Sequence, residues 1–145
     1  MSEKEILERA IYQLKQPPTL CHCLGFIYLY FAHTSDAKLT KEEFMTVTEK
    51  VNQWMDLLEE DSESITVFQD TFIWWKSEMV SGDVDINDTI LYLVENMNSL
   101  YGLKDVHLRV IGGDLKAIAE ADGEVSDFEK SWIVKVLRKM GLEGL

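Results

Sequence analysis

The chain is predicted to be all-α: a compact bundle of about seven helices with an internal pseudo-two-fold repeat, in a single domain over residues 1–145. Three observations predict this. Apolar residues recur at spacings of three and four, and no segment alternates with period two in a β-branched run. Capping residues and Gly or Pro breakers punctuate the chain at helix-length intervals. An acidic turn motif occurs twice at a constant offset. A hydrophobic fraction of 46%, with four Trp and six Phe, supplies enough apolar side chain for one core.

Ser2 is read as the cap of the first helix, which Pro17-Pro18 stops near Gln16. A second starts near Thr19 and carries Leu20, Leu24, Ile27 and Phe31. The third follows Thr40, with Phe44, Val47, Val51, Trp54, Met55 and Leu58 on one face. Ser62 or Ser64 begins the fourth, which carries Val67, Phe68, Phe72, Ile73 and Trp75. After the break at Ser81-Gly82-Asp83, a fifth helix capped by Asp85 or Asn87 carries Ile90, Leu93, Val94, Met97 and Leu100 to Gly102. The sixth covers 105–121 and contains Gly112-Gly113, which weakens a helix unless a neighbour packs closely there. The seventh follows Ser126, carries Phe128, Trp132, Ile133, Val136, Leu137 and Met140, and ends at Gly141. Its last turns hold Lys135, Arg138 and Lys139, where the helix dipole favours cations.

The repeated motif is Asp-x-x-[Leu/Val]-[Ser/Thr]-x-x-Glu, found as Asp36–Glu43 and as Asp122–Glu129. Asp36 and Asp122, like Glu43 and Glu129, lie 86 positions apart. The same offset aligns Leu29 with Leu115, Val47 with Ile133, Val51 with Leu137 and Trp54 with Met140, as an internal duplication would. Thr40 with Glu43, and Ser126 with Glu129, have the spacing of capping boxes.

Charge and composition narrow the functions. With 26 acidic and 14 basic residues the net charge is −12, which repels phosphate backbones and anionic headgroups, so nucleic acid is not an expected partner. The longest apolar run, 24–32, is far shorter than the roughly 20 residues of a spanning helix, and direct membrane insertion is not expected. The N-terminal Met-Ser-Glu-Lys-Glu does not read as a signal peptide. Cys21 and Cys23 point about 200° apart on one helix and cannot bridge within it, which fits reduced thiols and a cytoplasmic protein.

The acidic turns have two readings. In the first they are local architecture: Asp122 accepts backbone hydrogen bonds, Gly123 takes a left-handed position, and Glu43 and Glu129 complete their boxes. In the second they bind a divalent cation. Aligning Gly123 with the sixth position of an EF-hand loop places Asp122, Val125 and Glu129 suitably, but the first ligand position falls on Ile118, or on Ala32 upstream, so no self-contained EF-hand is expected. Asp36, Glu43, Asp122 and Glu129 together would suit hard calcium or magnesium if the two units pack about a pseudo-two-fold, although the positive ends of two helices oppose a cation there. Cys21-His22-Cys23 lacks further cysteines to complete a soft-metal site and reads as core. His33 and His107 are isolated, and no catalytic or phosphate-cradling motif is present. Asp83-x-Asp85-x-x-Asp88 reads as a turn and cap. Core packing is also expected for Trp74-Trp75.

Ala119-x-Ala121-Asp122-Gly123-x-Val125-Ser126-x-x-Glu129, following an apolar helix in a small acidic chain, resembles the tellurite-resistance TerB-like family. Asp36 and Glu43 match the upstream copy, where Ala37 stands in place of the glycine. The resemblance implies a helical domain with internal pseudo-symmetry and an acidic cluster suspected of binding metal, in bacterial stress-response or metal-resistance systems. The expected function is therefore a non-enzymatic binding or adaptor domain with protein partners and a divalent cation, Ca or Mg. The alternatives are an EF-hand-like calcium or magnesium sensor and a metal-assisted hydrolase, the latter without an evident base beside the acids.

Overall fold

In a computed structural model, residues 3–36, 40–58, 64–121 and 126–141 are described, with backbone alone for 34–36, 64–65 and 83–85. The chain is organised around its second helix, α2 (Leu20–Asp36). Every residue from Leu20 to Leu29 is buried. A helix apolar on all sides belongs inside a bundle, and the others surround it. They are α1 (Glu3–Leu14), α3 (Lys41–Leu57), α4 (Ser64–Ser81), α5 (Asp83–Tyr101), α6 (Asp105–Glu120) and α7 (Asp127–Lys139). The described residues contain seven helices and no strand, as the periodicity predicts. α2 packs on α3, α4, α5 and α6, while α1 lies against α4 and α5, and α7 against α6 and α5.

The capping predictions for α3 and α7 hold atom by atom. The Glu43 amide donates to Thr40 Oγ1 at 3.1 Å while the Thr40 amide donates back to Glu43 Oε1 at 3.1 Å. The Glu129 amide donates to Ser126 Oγ at 3.1 Å, and the Ser126 amide to Glu129 Oε1 at 2.9 Å. Thr40→Ala and Ser126→Ala are each expected to lower stability by roughly 0.5–2 kcal/mol. Denaturant midpoints unchanged in both variants would show that these hydroxyls contribute nothing as caps.

Boundaries moved where backbone chemistry outweighed composition. α1 ends at Leu14 because Lys15 turns left-handed, with φ 63° and its amide bonded to Ile11 O at 2.8 Å. Pro17 then favours extended backbone at Gln16. α5 begins at Asp83, earlier than a cap at Asp85 or Asn87 would place it. Gly82 occupies its N-cap with φ 117° and no side-chain acceptor, so glycine's conformational freedom starts this helix. Ser2 lies outside the described residues.

Two glycines set helix–helix distances. A Cβ on Gly112 would sit 2.9 Å from Leu137 Cδ1, and one on Gly25 would lie 2.9 Å from Thr71 Cγ2 and 3.5 Å from Val51 Cγ2. Val51 and Leu137 are partners under the 86-residue offset. Of the residues paired by that offset, Leu29, Leu115, Val51, Leu137, Trp54 and Met140 are all buried; Val47 is buried and its counterpart Ile133 is half-buried. Trp74 and Trp75 are both buried, in keeping with core packing.

Candidate functional site

The two described members of the acidic set, Glu43 and Glu129, are the third residues of α3 and α7, and both are buried. Burial of a carboxylate is costly unless its oxygens are satisfied. Glu43 Oε1 is well supplied, accepting from the Thr40 amide and from Thr40 Oγ1 at 2.9 Å. Glu43 Oε2 is buried and has no hydrogen-bond partner among the described residues. The positive end of the α3 dipole offsets part of that cost, up to about 2 kcal/mol in a partly buried geometry. Asp122 lies outside the described residues, and so does the side chain of Asp36. Among the described residues no three His, Cys, Asp or Glu side chains gather closely enough to hold a metal ion. A complete cation site at Glu43 would therefore need an acid beyond those described, such as Asp36 or Asp122.

α2 and α7 meet through an aromatic contact. Phe31 stacks on Trp132 with centroids 4.7 Å apart, and Tyr30 lies 6.3 Å from the same ring. Phe31 is five residues before Asp36, and Trp132 three residues after Glu129.

A second polar centre escaped the sequence reading. Asp114, on α6, is buried among Ile111, Leu115 and Ile118. Its Oδ2 accepts from the Tyr28 hydroxyl at 2.7 Å and from Trp54 Nε1 at 2.8 Å, while Trp54 Nε1 also lies 3.2 Å from the Tyr28 oxygen. Burial pushes the Asp114 carboxyl above the usual range, against the pull of those two hydrogen bonds and of Lys50. Tyr28 and Asp114 are 86 residues apart, the offset that relates the two acidic turns. The triad joins α2, α3 and α6, the helices that carry both turns' approaches. The signal available was a lone acid within an apolar helical register, at the counterpart of a tyrosine.

The Cys-His-Cys segment is buried in the core. Both thiols are free and buried, and burial pushes the Cys23 thiol up to about 12. His22 Nδ1 accepts from the Thr19 amide at 3.1 Å, and burial holds its pKa below the ordinary imidazole value. His107 Nδ1 likewise accepts from the Lys104 amide at 3.0 Å, so a histidine caps the start of both α2 and α6. His33 packs its ring on Trp75 at 5.6 Å.

No family model, curated protein or solved structure matches the chain. No described helix is long and apolar enough to cross a membrane.

Proposed function

We propose that this chain is a non-enzymatic binding or adaptor domain of the TerB-like kind, serving bacterial stress response or metal (tellurite) resistance, in which Asp36, Glu43, Asp122 and Glu129 hold a divalent cation. The observation that carries the reading is Glu43 Oε2, a buried carboxylate oxygen beside an acidic turn and without a hydrogen-bond partner among the described residues. A hard cation satisfies such an oxygen, and calcium or magnesium takes oxygen donors in preference to the nitrogen and sulfur that softer metals favour. The capping box supports the reading because it fixes Oε1 on Thr40 and leaves Oε2 to a ligand.

Calorimetric titration of chelator-treated protein with calcium and with magnesium tests this. Saturable binding is expected for one of the two. Glu43→Gln keeps an acceptor for the cap while removing the charge, and Asp122→Asn does the same at the downstream turn. Each is expected to weaken binding by roughly tenfold or more, the scale on which metal sites respond to such changes. Apo stability of Asp122→Asn should be unchanged or raised, since one charge of a crowded set is gone. A wild type that binds neither ion at millimolar concentration, with Asp122→Asn merely melting earlier, would leave the acids as turn and cap architecture.

A further inference from the structure

The outer face of α7 reverses the sign of the chain. Acids outnumber bases 26 to 14 overall, yet residues 130–139 hold Lys130, Lys135, Arg138 and Lys139 and no acid. These four exposed cations, with Ser131 and the half-buried Val134, line a surface hollow of about 480 Å³. Helical spacing sets them in two parallel rows. Lys130, Val134 and Arg138 follow one another at steps of four, and so do Ser131, Lys135 and Lys139, over roughly 12 Å of helix axis. α7 packs on α6 and α5 through its other side, where Val136 and Leu137 are buried, so the rows face outward.

Two of the cations have no structural use. The helix dipole favours Arg138 and Lys139 in the last turn, but it falls off within that turn and gives nothing to Lys135. Lys130, the fourth residue of α7, stands toward the positive end, where a cation is disfavoured. Nor do acids hold these two: neither Lys130 nor Lys135 makes an ion pair among the described residues. Lys139 already has a carboxylate in reach, Glu95 of α5 at 3.8 Å, an exposed pair that water screens.

We infer that this face docks an acidic amphipathic helix of a partner protein. Side chains four residues apart on a helix are spaced about 6 Å along its axis, the same step that separates residues within each row. A helix laid along α7 therefore brings carboxylates over the cations and an apolar side chain over Val134. Val134 is what separates this occupant from a phosphate polymer or an anionic membrane. A phosphate backbone has no apolar group to lay on it, and a half-buried valine flanked by cations offers nothing that inserts into a bilayer. A long polyanion would also overrun the cationic face onto a chain otherwise rich in acids. The proposal gives the adaptor reading a partner surface and does not depend on the cation: its test runs in chelator, while the cation reading stands or falls on the ion titrations.

The test is fluorescence anisotropy of a labelled helical peptide of about 18 residues, with a central Leu and Glu at the positions three and four residues to either side of it. A second peptide replaces every Glu by Gln. The Glu peptide is expected to bind saturably at low salt and to weaken as salt rises. The Gln peptide should bind at least roughly tenfold more weakly, and Lys130→Glu or Lys135→Glu should each cost the Glu peptide at least roughly tenfold. Lys4→Glu, on α1, changes the net charge by the same amount and should alter affinity by less than roughly twofold, because a distant exposed charge is screened. All three lysines are exposed, so the variants should keep the fold, which far-UV circular dichroism checks. Absence of saturable binding, equal affinity for both peptides, or a loss in Lys4→Glu as large as in Lys135→Glu would overturn the proposal. So would tighter binding to a short DNA duplex or to phosphatidylserine vesicles than to the Glu peptide. A dimer in sedimentation that Lys135→Glu dissolves would also overturn it, by giving the face to a second copy.

Discussion

Replacing Asp114 by leucine is expected to lower the stability of the domain by at least about 1–3 kcal/mol, because the buried Tyr28 hydroxyl then loses its acceptor and Trp54 Nε1 keeps only the longer contact to the Tyr28 oxygen. The donors are the Tyr28 hydroxyl and Trp54 Nε1, both of which share Asp114 Oδ2. Leucine has nearly the same shape, so the loss reports polar satisfaction more than volume. Asp114→Asn is the control. Its Oδ1 can accept from both donors without carrying a charge, and it should cost no more than about 1 kcal/mol at neutral pH. A loss in Asp114→Asn as large as in Asp114→Leu would show that the acceptor is not what matters.

The same pair of proteins exposes the titration. Burial raises the Asp114 carboxyl above its ordinary value. The folded state then binds this proton more tightly than the unfolded chain does. The group's contribution to stability is greatest below the unfolded carboxylate range, near about 3.9, and is lost as pH rises through the raised folded value. Asparagine has no such dependence, and all other acids are common to both proteins. Between about pH 4 and pH 7, the difference in stability should therefore shift in favour of Asp114→Asn. Urea unfolding of both proteins at the two pH values measures it. A constant difference would mean that the carboxyl is not raised in the fold.

Much of the architecture was legible because period and punctuation agreed. The apolar spacing of Val47, Val51 and Trp54, framed by Thr40 and Glu43, admits only a capped helix, and α3 is that helix. Ser126 and Glu129 did the same for α7. Where a boundary depended on backbone conformation, composition misled: polar Asp85 and Asn87 are good caps by type, yet Gly82 with its positive φ starts α5. The site was legible in part. The spacing of Glu43 and Glu129 marks them as capping residues, but sequence spacing alone does not say that Glu43 is buried with an oxygen left over. Asp114 was illegible for a different reason. A single aspartate on an apolar face has no local motif, and its partners lie on other helices at separations of 86 and 60 residues. Glu78 is the same kind of residue, a buried acid whose partners come from α1 and α5.

Arg9→Met is expected to cost about 3 kcal/mol, at the lower end of the range for stranding one member of a buried ion pair. Arg9 reaches from α1 across to α4, where its Nη2 donates to Glu78 Oε1 at 2.7 Å and its Nε to Oε2 at 3.1 Å. The Glu78 side chain is only 2% exposed and that of Arg9 30%, so the carboxylate suffers more from losing its partner. Thr89 Oγ1, on α5, donates to Glu78 Oε1 at 2.8 Å and also accepts from Arg9 Nη2 at 3.1 Å. One carboxylate therefore ties α1, α4 and α5 together. Removing the cation leaves it with the Thr89 hydroxyl, too little for a buried charge. Removing the charge as well should recover part of the loss, so Arg9→Met with Glu78→Gln is expected to be more stable than Arg9→Met alone. Arg9→Lys should fall between wild type and Arg9→Met, since an ammonium cannot reproduce the two-pronged contact. Denaturant unfolding of the three variants and the Glu78→Gln single variant closes the cycle. If the double variant loses the sum of the two single losses, the charges are not coupled, and the apolar face of α1, with Ile6, Leu7, Ala10 and Leu14, carries more of its attachment to the core.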